Sequence, residues 1–319
     1  MKLFPYQSDE IRLAMLGMVD GNGHPYSWSA IFNGYDREYM AACPYAGIPV
    51  YLFREPYAAL SIPGAKVTHV WTDNQEDAEK VSRASLVPNI LKRPEDCIGQ
   101  VDAVIVATDK GHEHVERCRP FVEAGLPIFV DKPLVDNVED LRTFMKWIDD
   151  GANILSSSSM RYVKEFLPYR LSCHELGALR FVTITMSKSW ERYGIHALES
   201  LYPIVGSGFI SVQNLGDMQH NIVRLEHTSG VEVTTAVISD LYGGFGHMLL
   251  AGTENSVAVK LNDTFYSFKA QLEAFVNYLR TGERPFPLSE TVELMKMVIA
   301  GTKSRTEGNR RVMLDEINI

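Results

Sequence analysis

A strand–helix–strand pattern between residues 101 and 133 constrains the fold of this chain more than any other stretch. Two short apolar runs rich in β-branched residues, 103–107 and 128–130, have the length and composition of strands buried on both faces. Between them apolar residues recur at helical spacing, and Gly125 stands where such a helix should stop. Two strands joined by a helix in this way form the parallel crossover unit of an α/β sheet.

Two charged residues, Asp131 and Lys132, directly follow the second of these strands. Open α/β sheets bind ligands outside the carboxyl ends of their strands, so the Lys132 ammonium is expected to point into a cleft. A partly desolvated site would lower the pKa of Lys132 toward neutrality and let it exchange a proton with a hydroxyl or carbonyl oxygen. The alternative interpretation is a surface lysine in a turn fixed by Pro133.

The order of residues along this stretch resembles the Gfo/Idh/MocA oxidoreductases. The resemblance rests on Ala107-Thr108, His114, Ala124-Gly125 and then Asp131-Lys132-Pro133, where the family has Glu-Lys-Pro after its fifth strand. It implies a Rossmann-type doubly wound parallel sheet followed by an α+β domain with a largely antiparallel, open sheet. The expected division is a dinucleotide-binding domain at 1–158 and a substrate-binding and oligomerisation domain at 159–319.

Composition places the chain among ordinary soluble proteins. Hydrophobic residues make up 45% and charged residues 22% of the sequence, as in ordinary globular proteins. Its length of 319 residues is enough for two domains. The net charge of -9 and the pI near 5.5 argue against general binding to nucleic acid or to an anionic membrane. Four dispersed cysteines suggest neither disulfides nor a zinc site, and the absence of a signal-like or membrane-spanning segment predicts a cytoplasmic protein.

A glycine-rich stretch follows the first predicted strand, 11–18, and precedes a predicted helix at 27–33. Gly17, Gly21 and Gly23 could let backbone N–H groups approach a pyrophosphate at the start of a helix. The family usually shows Gly-x-Gly-x-x-Gly, whereas the spacing here is Gly-x-x-x-Gly-x-Gly, so a plain turn is the alternative. Residues 35–64 then read as an irregular insertion, either covering a site or partner surface or packing as a surface extension.

The second predicted strand, 66–71, ends beside Thr72 and Asp73. An acid at this position accepts hydrogen bonds from the adenosine ribose and repels a 2′-phosphate, so Asp73 favours NAD, whereas Thr72 in that position would permit NADP. The resemblance further implies that Thr108, His114, Asp131 and Lys132 contact the cofactor.

The second half of the chain has the pattern of an antiparallel sheet with helices. Strands are predicted at 179–186, 222–227, 231–239, 256–261 and 264–268, and helices at 269–280 and 289–301. Alternating residues leave one face of this sheet to be covered, and relatives commonly pair through that face, which predicts a homo-oligomer, a dimer or tetramer.

A second group of candidate residues lies in this half. The segment Arg192-Tyr193-Gly194-Ile195-His196 resembles the family's Asp-x-Gly-x-His helix, which implies that His196 lies near the reacting hydroxyl. Arg192 replaces the usual acid, and it could bind an anionic substrate group or mark lost catalysis. Arg161 resembles the arginine with which the family enters its second domain, either as a substrate contact or as a structural ion pair.

The resemblance implies hydride transfer between a nicotinamide cofactor and a hydroxyl or carbonyl carbon of a sugar, inositol or related polyol. Lys132 is then the expected acid/base residue, with His196 second. A non-catalytic dinucleotide-binding regulator of the same fold is the main alternative. A metal-dependent hydrolase using His112, Glu113 and His114 is more remote, because adjacent helical residues point in different directions.

Overall fold

A computed structural model describes residues 10–319 of the chain. The first half builds a six-stranded, all-parallel sheet with the strand order β3-β2-β1-β4-β5-β6. Its elements, in chain order, are β1 (Ile11–Leu16), α1 (His24–Asn33), α2 (Arg37–Ala41), α3 (Gly47–Leu52), β2 (Ala65–Trp71), α4 (Gln75–Ala84), β3 (Asn89–Ile90), β4 (Ala103–Val106), α5 (His114–Glu123), β5 (Ile128–Val130), α6 (Val138–Asp149) and β6 (Ile154–Ser156).

This order confirms the Rossmann-type doubly wound sheet predicted from the crossover at 101–133. The central strands β1, β4 and β5 are short and almost wholly buried, because helices cover both faces of the sheet. All the strands run in one direction, so their carboxyl ends share one edge. Residues that directly follow β1, β4 and β5 are therefore brought together.

The segment between α1 and β2 is more regular and more buried than its sequence suggests. Helix α1 begins at His24 rather than at residue 27, since Pro25 fits the first turn, where its missing N–H is not needed. Residues 35–64 contain α2 and α3, and Met40 and Leu52 are fully buried in the core. Part of the segment, including Tyr45, also lines a cavity at the carboxyl edge of the sheet. The segment therefore both packs into the core and covers this cavity.

The second half forms a seven-stranded mixed sheet with the order β12-β11-β7-β10-β9-β8-β13. All its neighbouring strands are antiparallel except β7 and β10, which are parallel. This agrees with the predicted α+β domain and its largely antiparallel sheet. Its elements are α7 (Leu167–Leu171), β7 (Leu179–Ser187), α8 (Ile195–Val205), β8 (Phe209–Asn214), β9 (His220–His227), β10 (Glu232–Ile238), β11 (Phe245–Gly252), β12 (Ser256–Lys260), α9 (Thr264–Thr281), α10 (Leu288–Thr306) and β13 (Val312–Met313).

One predicted strand in this half is wrong. Residues 264–268 are the first turns of the long helix α9, because the Asp263 side chain accepts the backbone N–H of Tyr266 and caps the helix. Helix α9 also packs across the two halves of the chain, since its Phe275 lies against Phe129 of the first sheet. Within residues 10–319, no helix is long and apolar enough to cross a membrane.

Candidate active site

A cavity of about 430 Å³ opens where the carboxyl ends of β1, β4 and β5 face the second half of the chain. Its polar wall comes from the loop after β1 and from single residues after β4 and β5, while α3, α9 and the start of α8 supply aromatic rings. The residues that line it include Gly21, Asn22, Gly23, His24, Tyr45, Tyr51, Asp109, Lys132, Tyr193, His196, Phe245 and Phe268.

Lys132 lies at the floor of this cavity and is almost completely buried. Its Nζ is 3.3 Å from Oδ2 of Asp109, and it lies 5.3 Å from the centre of the Tyr193 ring. Burial opposes the charged form, but the carboxylates of Asp131 and Asp109 outweigh it, and the pKa of Lys132 is raised above its usual value. The expectation of a lowered pKa is therefore wrong, because two buried carboxylates hold the ammonium charged.

Asp109, which sequence reasoning missed, joins Lys132 to the second half of the chain. It receives Nη2 of Arg192 on both carboxylate oxygens, at 2.7 and 2.8 Å, and Nε of Arg192 at 3.1 Å. Although burial opposes it, the charges of Lys132 and Arg192 hold the pKa of Asp109 well below its usual range. The guanidinium of Arg192 is thus already occupied by a carboxylate of the protein, which leaves little of it for an anionic substrate group.

Asp131 binds His24, a residue that the sequence analysis did not identify as part of the site. Nδ1 of His24 lies 2.6 Å from Oδ2 of Asp131, and Nδ2 of Asn22 donates to the same oxygen at 3.0 Å. The other carboxylate oxygen accepts the backbone N–H of Lys132 at 2.7 Å. Burial opposes ionisation, but His24 and Lys132 lower the pKa of Asp131. The signal available in the sequence was a histidine at the start of the helix that follows the glycine-rich loop.

His196 faces the same cavity from α8. Its ring makes edge contacts with Tyr193 and Phe245, at 4.7 and 5.0 Å between ring centres, and Nδ1 lies 2.6 Å from Oγ of Ser158. Because burial and the charge of Lys132 disfavour the imidazolium, the pKa of His196 lies well below its usual value. His196 is therefore neutral, and the structure brings it to the cavity that also holds Lys132.

The glycine-rich loop has backbone conformations that favour glycine, and it lies close to neighbouring side chains. Gly17 and Gly21 have φ angles of +87° and +76°, which side-chain-bearing residues rarely adopt. A Cβ at Gly23 would come within 2.5 Å of the Tyr45 ring. The loop also contacts Asp73, whose Oδ2 accepts the backbone N–H of Met18 at 3.0 Å. The loop end of β1 and the acid after β2 thus lie side by side.

Three other candidates make internal contacts away from this wall. Both ring nitrogens of the buried His114 lie within 2.9 Å of backbone carbonyls, those of Leu134 and Thr108. The Thr72 hydroxyl donates to the carbonyl of Asn74. Thr108 is itself fully buried behind Gly17, with no hydrogen-bond partner for its hydroxyl within residues 10–319. The side chains of His114 and Thr72 thus contact backbone carbonyls of the protein at the base of the sheet edge.

Arg161 is also removed from the cavity. Its guanidinium donates to Glu199 and, at 2.7 Å, to Glu290, and it stacks 4.1 Å from the centre of the Phe286 ring. Glu199, three residues after His196 on α8, thereby pairs with Arg161 and not with His196. Of the two roles considered for Arg161, the structure supports the ion pair.

Comparison with known proteins agrees with this arrangement. The model of the Gfo/Idh/MocA family, described as an oxidoreductase family with an NAD-binding Rossmann fold, matches residues 52–158. No curated protein sequence matches the chain. The match includes β4, α5 and β5 and therefore the crossover that ends at Lys132.

Solved structures share the whole fold at low sequence identity. A myo-inositol 2-dehydrogenase from Lactobacillus plantarum has a TM-score of 0.73 and 14% identity, covering 96% of this chain and 99% of its own. A scyllo-inositol dehydrogenase from Lactobacillus casei, with NAD(H) and scyllo-inositol bound, has a TM-score of 0.74 and 11% identity, covering 96% and 100%. GenD2 from gentamicin A biosynthesis, in complex with NAD, has a TM-score of 0.74 and 15% identity, covering 97% and 98%.

These likenesses establish the two-part fold, and the family model identifies the dinucleotide-binding part that carries Lys132. The resemblance first suggested by the order of residues around Asp131-Lys132-Pro133 is confirmed over residues 52–158, which match the model of the Gfo/Idh/MocA oxidoreductase family.

Proposed function

We propose that this protein is an NAD-dependent dehydrogenase that interconverts a hydroxyl and a carbonyl group on a cyclic polyol or sugar. The observation that carries the proposal is the position of the Lys132 ammonium. It is held charged by Asp109 and Asp131 on the floor of a cavity beside the glycine-rich loop, and His196 lines the same cavity. An ammonium in that position can donate a hydrogen bond to the reacting oxygen and stabilise the negative charge that develops there.

The residues present fit a dinucleotide. Gly17 and Gly21 lie with positive φ angles in the loop before α1, the place where a pyrophosphate usually binds, and Asp73 follows β2, where an adenosine ribose is usually bound. The buried Thr108 hydroxyl beside Gly17, without a partner in residues 10–319, is a further polar group at this edge. When bound, NAD supplies the hydride chemistry. The chain's own residues bind the cofactor, orient the substrate and handle the proton.

The NAD preference is proposed to depend on Asp73. Its carboxylate is 40% exposed and accepts Nη2 of Arg117 at 2.8 Å. We expect Asp73→Ala to remove the charge that repels a 2′-phosphate and to release one of the two carboxylates on Arg117, which stays paired with Glu113. The ratio of NAD to NADP affinity should fall by about tenfold, or roughly 1.4 kcal/mol, measured by calorimetric titration of both cofactors. Glu79→Ala, an exposed acid on α4, is the matched control, and an unchanged ratio in Asp73→Ala would exclude this role.

The walls of the cavity favour a neutral ring-shaped substrate. Tyr45, Tyr51 and Phe268 contribute aromatic surface on one side, and Tyr193 and Phe245 on the other. Such surfaces pack against the apolar faces of a sugar or cyclitol ring, while Lys132, His24 and His196 can bind its hydroxyls. Because Arg192 is paired with Asp109, a carboxylated or phosphorylated substrate has less to attract it. Inositols and unmodified sugars are therefore the first compounds to test.

The direct test of the proposed function is a screen of inositols and sugars with NAD and NADP, followed by the absorbance of the reduced cofactor. Turnover of at least one such compound supports the proposal. Cofactor binding without turnover of any member would instead support the non-catalytic regulator, and no binding of either cofactor at millimolar concentration would contradict both functions.

The open face of the second sheet is proposed to form a homo-oligomer. Helices α8 and α10 pack on one face, while Ile222, Thr234, Ala236 and Leu249 project from the other and keep partial exposure. Light scattering at micromolar concentration should give a dimer or tetramer. Ala236→Glu, at the centre of this face, should shift the mass toward the monomer, because it buries an unpaired carboxylate in each contact. A monomeric native protein would contradict the proposed assembly.

A further inference from the structure

His24 has the geometry of a proton acceptor in the cavity. Its Nδ1 is 2.6 Å from the buried Asp131 carboxylate, so Nδ1 carries the hydrogen and Nε2, on the edge of the ring away from Asp131, carries the free electron pair. Within residues 10–319, Nε2 has no hydrogen-bond partner. The His24 side chain keeps 15% exposure and lines the cavity, which gives a substrate access to it.

The ring of His24 is held firmly in place. It stacks on Trp28 with 4.2 Å between ring centres and an interplanar angle of 16°, and it meets Phe268 edge-on at 5.4 Å. Nδ2 of Asn22 donates to the same Asp131 oxygen, and Oδ1 of Asn22 accepts the backbone N–H of His24 at 2.9 Å. Asp131 and Asn22 are therefore positioning residues that fix both the orientation and the tautomer of His24.

The other two candidates are poorly suited to accept a proton. Lys132 already carries its proton, because Asp131 and Asp109 raise its pKa. Nδ1 of His196 is already engaged by Oγ of Ser158, at 2.6 Å. Burial and the charge of Lys132 keep the pKa of His196 well below its usual value, so His196 is a weaker proton acceptor than an ordinary imidazole.

We propose that His24, positioned by Asp131, is the residue that takes the proton of the substrate hydroxyl. The role rests on the proposed dehydrogenase function. A bound NAD would supply the hydride acceptor: the carbinol C–H bond would break with its electron pair leaving as hydride to the oxidised nicotinamide, while the O–H bond breaks and its proton moves to Nε2 of His24. The carbon–oxygen double bond forms, and the negative charge on oxygen is stabilised by Lys132 throughout. In the reverse direction, the His24 imidazolium returns the proton.

The proposal is tested by His24→Ala, with His112→Ala as the matched control. His112 is also a histidine paired with a carboxylate, Asp136 at 2.8 Å, but it lies outside the cavity. In an active native enzyme, His24→Ala should lower kcat about 10²-fold while the affinity for NAD stays within about threefold by calorimetry. Added imidazole should restore much of the lost rate, because the vacated space opens on the cavity, and His112→Ala should keep the native rate.

A second measurement does not depend on activity. In nitrogen-15 spectra of the native protein, the His24 ring should show Nδ1 protonated and Nε2 unprotonated, and Asp131→Asn should change this pattern. The opposite tautomer in the native protein would overturn the role of His24, as would an active enzyme whose His24→Ala variant keeps its rate or is not rescued by imidazole. Absence of turnover in the native protein would instead contradict the dehydrogenase function itself, and the role of His24 with it.

Discussion

Replacing Lys132 with methionine should leave the cofactor bound and lower turnover by about 10³-fold or more. Methionine approximates the length and apolar volume of the lysine stem and removes the ammonium. The two carboxylates around it keep other partners, since Asp109 retains Arg192 and Asp131 retains His24. The fold and the affinity for NAD should therefore survive, while the charge that stabilises the reacting oxygen is lost. Steady-state kinetics together with calorimetric titration of NAD measure both effects.

Two further variants make this test specific. Lys80→Met removes an exposed ammonium on α4 and should change neither turnover nor NAD affinity. His196→Asn should reduce turnover less than Lys132→Met does, because an amide can still donate a hydrogen bond to the substrate. If Lys132→Met keeps the rate within a few-fold and His196→Asn abolishes it, then the order of importance proposed for these two residues is reversed.

Replacing Arg161 with methionine should produce the largest loss of stability among single substitutions near the boundary of the two halves. Arg161 and Glu199 are both almost completely buried, and Arg161 also binds Glu290. Removal of one member of a buried ion pair leaves an uncompensated charge and costs about 3–5 kcal/mol in the free energy of unfolding. Urea denaturation at a fixed protein concentration, followed by circular dichroism, should show a clearly lower midpoint.

The double variant Arg161→Met/Glu199→Gln separates the two sources of this loss. If most of it comes from the stranded Glu199 carboxylate, then the double variant should be more stable than Arg161→Met alone. Arg93→Met removes the arginine of the exposed pair with Asp96 and should leave the midpoint essentially unchanged. A midpoint for Arg161→Met that matches the native protein would show that the buried pair contributes little.

The parts of the fold that were predictable from sequence are those determined by local patterns. Short β-branched runs and a glycine at the end of the helix between them predicted the crossover that ends at Lys132. A crossover of this kind in turn predicts a parallel sheet. The start of α9 was misassigned because its aromatic and β-branched residues are typical of a strand. The Asp263 side chain caps these residues as the first turn of a helix by accepting the backbone N–H of Tyr266. The irregular appearance of residues 35–64 similarly concealed α2 and α3.

The site itself was only partly predictable, because its contacts join residues far apart in the chain. Lys132 could be placed, since a residue that follows a parallel strand lies at the ligand-binding edge. The direction of the pKa shift of Lys132 could not be predicted. It depends on Asp109, which only the fold brings next to Lys132. His24 and Asp131 are separated by 107 positions, and nothing local in the sequence connects them.

The ion pair between Arg192 and Asp109 limits how this chain can diverge from its relatives. An acid at position 192, as in the pattern that residues 192–196 resemble, would set a second carboxylate against the buried Asp109. Such a change would be tolerated only if position 109 lost its charge at the same time. The two positions, one in each half of the protein, are therefore expected to be inherited as a pair, and either one alone is a poor guide to whether a related sequence retains this form of the site.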